Sequence, residues 1–171
     1  MRRLAVAAAF VAAPALAQDA VEPAWTVFVD DDAACYAVSA PTGSVNTRNG
    51  EEVEVSRGVT RLVVAWRPAE GVEGQVSFTG GYPFDPESTV ALEAGGQTFD
   101  LAVDGEWAWP SSEEADDVLI SALRGIAEVD LVGVSARGTT TRDTFSMVGF
   151  GRGRGRGGAA LRGLGRETSR A

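Results

Sequence analysis

The chain contains no histidine, no lysine and only one cysteine in 171 residues. Without histidine, Ser-His-Asp and Cys-His catalytic groups are excluded, and so are histidine-ligated zinc sites. The single cysteine, Cys35, has no second cysteine to bridge to, which removes an intrachain disulfide, CxxC redox chemistry and a four-cysteine metal site. No P-loop occurs, and no GxGxxG fingerprint occurs between residues 18 and 150, so no cofactor is expected. Long hydrophobic runs are missing too. The apolar run Leu4 to Pro14 is shorter than the ~20 residues that a helical span needs, so no stable membrane span is expected.

That short run has a different use. Arg2-Arg3 precede it and Ala15-Leu16-Ala17 follows it, the pattern of a cleavable signal peptide over residues 1–17 with cleavage at Ala17-Gln18. The mature protein is therefore expected in the periplasm, secreted or at the cell surface. From Gln18 to Phe150 there are 7 arginines against 23 acids, a net charge of −16. A body so acidic repels phosphate backbones, and nucleic acid is not expected as its partner.

Residues 151–171, GRGRGRGGAALRGLGRETSRA, reverse the sign, with 6 arginines and one glutamate. This Gly/Arg-rich tail is expected to be disordered and dispensable to the fold, since its glycines lose much backbone entropy on ordering and little apolar area offsets that. Its composition fits an out-of-frame reading of GC-rich codons, ahead of a native disordered tail. Single-strand nucleic-acid binding of the RGG type ranks last, because the chain carries an export signal.

Between leader and tail the dominant signal is alternation with a period of two. In the stretch Gly74 to Pro110, Val76 and Phe78, then Val90 and Leu92, then Phe99, Leu101 and Val103 each alternate with polar neighbours, and glycines or prolines separate the runs. This pattern predicts antiparallel strands with one buried face. Trp25 to Val29, Cys35 to Ala40, Val53 to Val55, Val59 to Trp66, Val129 to Ala136 and Thr139 to Phe150 read likewise as strands. Asn49-Gly50 is the strongest hairpin signal, placed near a sheet edge by its polar flanks. Asp30-Asp31-Asp32 lacks the spaced ligands of an EF-hand and reads as a solvated turn.

After Pro110 the period changes. Ser111 to Glu114 reads as a capping box, and Ala115, Val118, Leu119, Ala122, Leu123 and Ile126 form a helical stripe. One short helix over about 112–124 is predicted, with Glu113, Glu114, Asp116 and Asp117 favouring its positive end. The whole predicts a mainly β protein, an immunoglobulin-like antiparallel β-sandwich spanning 18–150. Trp25, Trp66, Val76, Phe78, Phe99, Leu101, Leu119 and Leu123 are expected in its core.

Two groups of residues are candidates for function. Trp107 and Trp109 share one face of a strand and, with Tyr82, are candidate ligand or partner contacts; the competing reading places such rings in the core. Asp85, Asp104 and Glu106 lie beside aromatics near loops, where a pair of carboxylates can hydrolyse glycosides. With 23 acids in one domain, chance proximity is the ordinary explanation. The chain is therefore expected to be a non-enzymatic binding or accessory protein, with a histidine-free carboxylate enzyme acting on envelope or other glycans as the alternative.

The segments WTVFVDDDAACYAVSAP, SVNTRNGE, VSFTGGYPF, DGEWAWP and SARGTTTRDTFSMVGF together resemble the invasion-associated locus B family, proteins exported by alphaproteobacteria. They span Trp25 to Phe150. The resemblance implies an immunoglobulin-like sandwich in the periplasm or at the cell surface, an envelope or host protein as partner, and no catalytic residues to carry over. One class of members is associated with entry into host cells. Relatives commonly follow a Gly-Phe with a short segment ending in cysteine, which implies a bridge to Cys35. Here Gly149-Phe150 leads into the Gly/Arg tail, which has no cysteine.

Overall fold

A computed structural model describes residues 24–30 and 34–150. The predicted leader, the acids Asp31 and Asp32 and the tail 151–171 lie outside the described residues. Eleven strands and one α-helix follow one another. The first five strands are β1 (Trp25–Val29), β2 (Cys35–Ser39), β3 (Gly43–Arg48), β4 (Glu51–Glu52) and β5 (Arg61–Arg67). After a 3-10 turn come β6 (Val72–Thr79), β7 (Thr89–Ala94), β8 (Gln97–Asp104) and β9 (Trp107–Trp109). Helix α1 (Glu113–Ala122), β10 (Glu128–Val134) and β11 (Thr140–Ser146) complete the order.

All eleven strands belong to one antiparallel order, β1-β2-β5-β6-β9-β8-β7-β10-β11-β3-β4. Four strands separate β6 from β11 in that order, which in a flat sheet would hold them ~24 Å apart. Yet the Phe78 ring on β6 meets the Phe145 ring on β11 edge to face, 6.0 Å between centroids. The sheet must fold over on itself. Its end strand β1 closes the fold, because Trp25 Nε1 donates to the Ser146 carbonyl at 3.1 Å and the Trp25 ring packs on Phe150. The mainly β sandwich with one short helix that the sequence predicts is the fold observed, made from one continuous strand order.

Leu62, Val64, Val76, Phe78, Leu92, Leu101, Leu131 and Phe145 fill the space between the layers. Of the expected core, only Phe99 is less than buried; it packs half-exposed at the margin. Cys35 is buried opposite Trp66 on β5, and burial, then the charge of Asp30, pushes its thiol above the ordinary value.

Asn49-Gly50 forms the predicted tight turn with φ of 54° and 83°, joining β3 to the edge strand β4. The strand expected at Val53 to Val55 does not form. Residues 53–60 run without a ladder, and Val59 is exposed, so β5 starts only at Arg61. Contacts to distant strands win over local alternation in this segment. Arg57 reaches β11, and the Gly58 amide donates to the Gly81 carbonyl at 2.8 Å. That crossing needs glycine at 81, since a Cβ there would lie 2.6 Å from the Gly58 carbonyl.

The helix starts one residue later than the predicted box. Ser112, not Ser111, is the N-cap, and its hydroxyl accepts from the Ala115 amide at 3.2 Å. The buried face is also rotated from the expected stripe. Asp116, Leu119, Ile120 and Leu123 are buried, and Val118 is exposed. Asp116 therefore leaves the solvated acids and caps a sheet edge. Where β9 ends before Pro110, its Oδ1 accepts the Val76 amide of β6 at 2.7 Å.

Burial pushes the Asp116 carboxyl up from 3.8 to about 6, helped by the charges of Asp117 and Glu113 and opposed by the Val76 amide. A folded pKa above the unfolded one means that the folded state binds the proton more tightly. The associated stability is full below about pH 4 and lost as pH rises through about 6. Asp116→Asn keeps an acceptor for Val76 without the charge. Urea unfolding is expected to show that it stabilises the protein by on the order of 1–3 kcal/mol at pH 7.5, and by much less at pH 4. Equal effects at both pH values would show that the ionised carboxylate is well tolerated there.

Candidate functional site

Two features stand out on the surface: an outer face bearing tryptophans and a cleft lined by arginines. On the outer face, antiparallel register places Phe28 opposite Tyr36, Tyr36 opposite Ala65 and Ala65 opposite Gln75. Two and four residues along β6 are Ser77 and Thr79, and Thr79 faces Trp107. Directly opposed residues share a side of the sheet. Phe28, Tyr36, Trp107 and Trp109 therefore lie on the face turned away from Phe78. Trp107 is 41% exposed, Phe28 55% exposed, and Trp109 half-buried. The residue of β9 that enters the core is the small Ala108 between the two indoles.

Trp109 also lines a cleft of about 650 Å³ between the start of β6 and the start of α1. Glu73, Glu113, Glu114 and Asp117 line that cleft and are exposed. Glu114 is held below the usual carboxylate range by hydrogen bonds to its own backbone and to Ser112. The tryptophan face thus continues into a strongly acidic rim.

Tyr82 is not part of this platform. It belongs to a second cleft of about 500 Å³, where the crossing of residues 53–60 over Gly81 brings Arg57 above its ring at 5.8 Å from the centroid. Tyr82 packs on Phe84, its hydroxyl bonds Thr141, and burial raises its pKa. Behind it lies Asp143, with no exposed side-chain surface. Arg57 donates two parallel bonds to that carboxylate, Nη1 to Oδ2 at 2.8 Å and Nη2 to Oδ1 at 2.5 Å. Ser44 adds a third donor to it. The bonds to Asp143 raise the Arg57 pKa, so its charge is fixed.

The three carboxylates singled out in the sequence lie on adjoining segments, since the Phe84 amide donates to the Gly105 carbonyl at 2.9 Å, but in different settings. Asp85 accepts the Glu87 amide at 3.1 Å in its own turn, Asp104 sits opposite Trp107 on the outer face, and Glu106 alone lines the Tyr82 cleft. Its companion acid there is Glu54, which sequence reading had assigned to a strand. Arg48, Arg57, Glu54 and Arg137 are the cleft residues that sequence reasoning missed. Only their sign gives a clue, since three of the body's seven arginines line this one place. Among the described residues no cluster of histidine, cysteine or acidic side chains is placed to hold a metal ion, and no helix is long and apolar enough to cross a membrane.

No protein-family model and no curated protein sequence matches this sequence. Among solved structures, the crystal structure of invasion associated protein B from Bartonella henselae is similar at a TM-score of 0.57 and 15% identity. The match covers 82% of this chain and 95% of that one. The two proteins share a fold.

Proposed function

We propose that the chain is an exported, non-enzymatic binding protein that engages an envelope or host-surface protein through the outer face around Trp107 and Trp109. The observation that carries this reading is the exposed Trp107 indole, on the same sheet face as Trp109, which lines an acidic cleft. Solvent-facing tryptophans dominate binding energy when a partner covers them. The acid rim selects a partner with a basic, apolar-centred patch and speeds its approach. The leader pattern ending at Ala17 supports export, and the name of the structural neighbour supports an envelope or host surface as the setting.

Capture from periplasmic extract and from host-cell membranes tests this reading. The wild-type protein should retain a specific protein, and Trp107→Ala with Trp109→Ala should reduce its recovery at least tenfold while the variant still unfolds cooperatively. Raising salt from 50 to 300 mM should slow association, as expected for steered encounter. Undiminished capture by the double variant would move the interface elsewhere. Sugar release abolished by Glu106→Gln would replace the proposal with the carboxylate hydrolase.

A further inference from the structure

We infer that the cleft around Tyr82 is a binding site for a carboxylated sugar, distinct from the tryptophan face. Outside the cleft, Arg67 pairs with Glu70 and Arg142 with Glu93 and Asp130, whereas Arg61 bonds only the Thr60 carbonyl and Arg124 has no partner among the described residues. What sets the cleft apart is that cations without a carboxylate line the same concavity as acids without a cation. Arg48 is bound only to the Thr139 hydroxyl, at 2.6 Å through Nη2. Among the described residues Arg137 has no hydrogen bond or ion pair, although Glu54 and Glu106 line the same cleft. These two acids likewise have no partner among the described residues. Two cations and two anions thus share one concavity without neutralising each other.

The floor beneath them is rigid. Asp143 uses up the charge of Arg57 and, together with the Ser44 hydroxyl, occupies three of its five guanidinium donors, leaving two for a ligand. Ser135, which lines the cleft, bonds across its own turn to Thr139, and the Ala136 amide bonds to the Pro83 carbonyl, so both walls are tied together. One acceptor near the floor is unused: Asn46 Oδ1 is buried with no partner, on the β3 residue opposite Thr141.

This set of groups selects a ligand chemistry. Arg48 and Arg137 suit one carboxylate, which guanidinium binds in a planar, charge-assisted pair. Glu54 and Glu106 are pure acceptors and suit hydroxyl donors around that carboxylate. A phosphate dianion would meet both glutamates, and a neutral sugar would leave the arginines unused. A uronic-acid unit, with one charge and several hydroxyls, satisfies both halves. The volume of about 500 Å³ accommodates a short oligosaccharide.

Calorimetric titration of the exported protein with galacturonic-acid trisaccharide, galactose trisaccharide and succinate tests the inference. The acidic trisaccharide should bind at least tenfold more tightly than either of the others. Arg137→Gln, which removes no contact within the protein, should weaken that binding tenfold or more while the melting temperature stays unchanged, and Glu106→Gln should weaken it severalfold. Trp107→Ala with Trp109→Ala should leave it intact, which separates this site from the partner surface. Equal binding of succinate would reduce the cleft to a bare anion site and overturn the assignment. Equal binding of the neutral sugar, no binding of any probe, or indifference to Arg137→Gln would overturn it as well.

Discussion

Replacing Asp143 with alanine is expected to lower the unfolding free energy by about 3–5 kcal/mol, the loss typical of breaking a buried pair by removing one partner. Asp143 is fully buried and accepts two bonds from Arg57 and one from Ser44. Deleting it leaves a guanidinium only 12% exposed without its counter-charge. Arg57→Ala should be of similar severity for the mirror reason, because an ionised carboxylate then remains inside the sandwich. The double variant Arg57→Met with Asp143→Leu removes both desolvation penalties, and it should lose clearly less than the sum of the single changes. Denaturant unfolding of the three variants gives the coupling directly. Strict additivity would mean that the pair contributes position rather than energy.

That pair shows where reading the sequence stops. Arg57 and Asp143 are 86 residues apart, and each sits in a polar stretch with no local mark of burial. On β11 the inward phase is Thr141, Asp143 and Phe145, no more apolar on average than a solvated strand before Phe145 is reached. Strands bounded by glycine were legible, because a turn at positive φ is a local requirement that Asn49-Gly50 or Gly95-Gly96 meets by itself. Which side of a strand faces inward was less so. In Trp107-Ala108-Trp109 both phases are apolar, and the smaller one enters the core. The shared face of the two tryptophans was visible in the spacing; its outward direction was not. Helix α1 gave the same difficulty in another form. An acid near a helix start is ordinarily explained by the helix dipole, so Asp116 gave no sign that it serves the Val76 amide 40 residues away. The cleft depends on a crossing of Gly58 over Gly81, a contact that no periodicity encodes.

Phe78 is the point on which both layers of the sandwich bear, and Phe78→Ala is expected to cost about 3–5 kcal/mol. Its side chain has no exposed surface, and its ring lies 6.0 Å from both Phe84 and Phe145, the second on the opposite layer. Truncation leaves a cavity between strands that are distant in the sheet order, and neither layer can collapse into it without breaking its own ladder. Phe84 bears in turn on Tyr82, so the cavity lies one ring away from the arginine cleft. Phe78→Ala should therefore loosen ligand contacts at Tyr82 along with the core, whereas Phe78→Leu should cost far less at both. Phe99→Ala provides the comparison on the same fold. Phe99 is only half-buried at the margin of the core, and about 1–2 kcal/mol is expected there. Urea midpoints measured at constant slope check the order. Equal losses at the two positions would show that the layers do not meet at Phe78 as tightly as the ring contacts require.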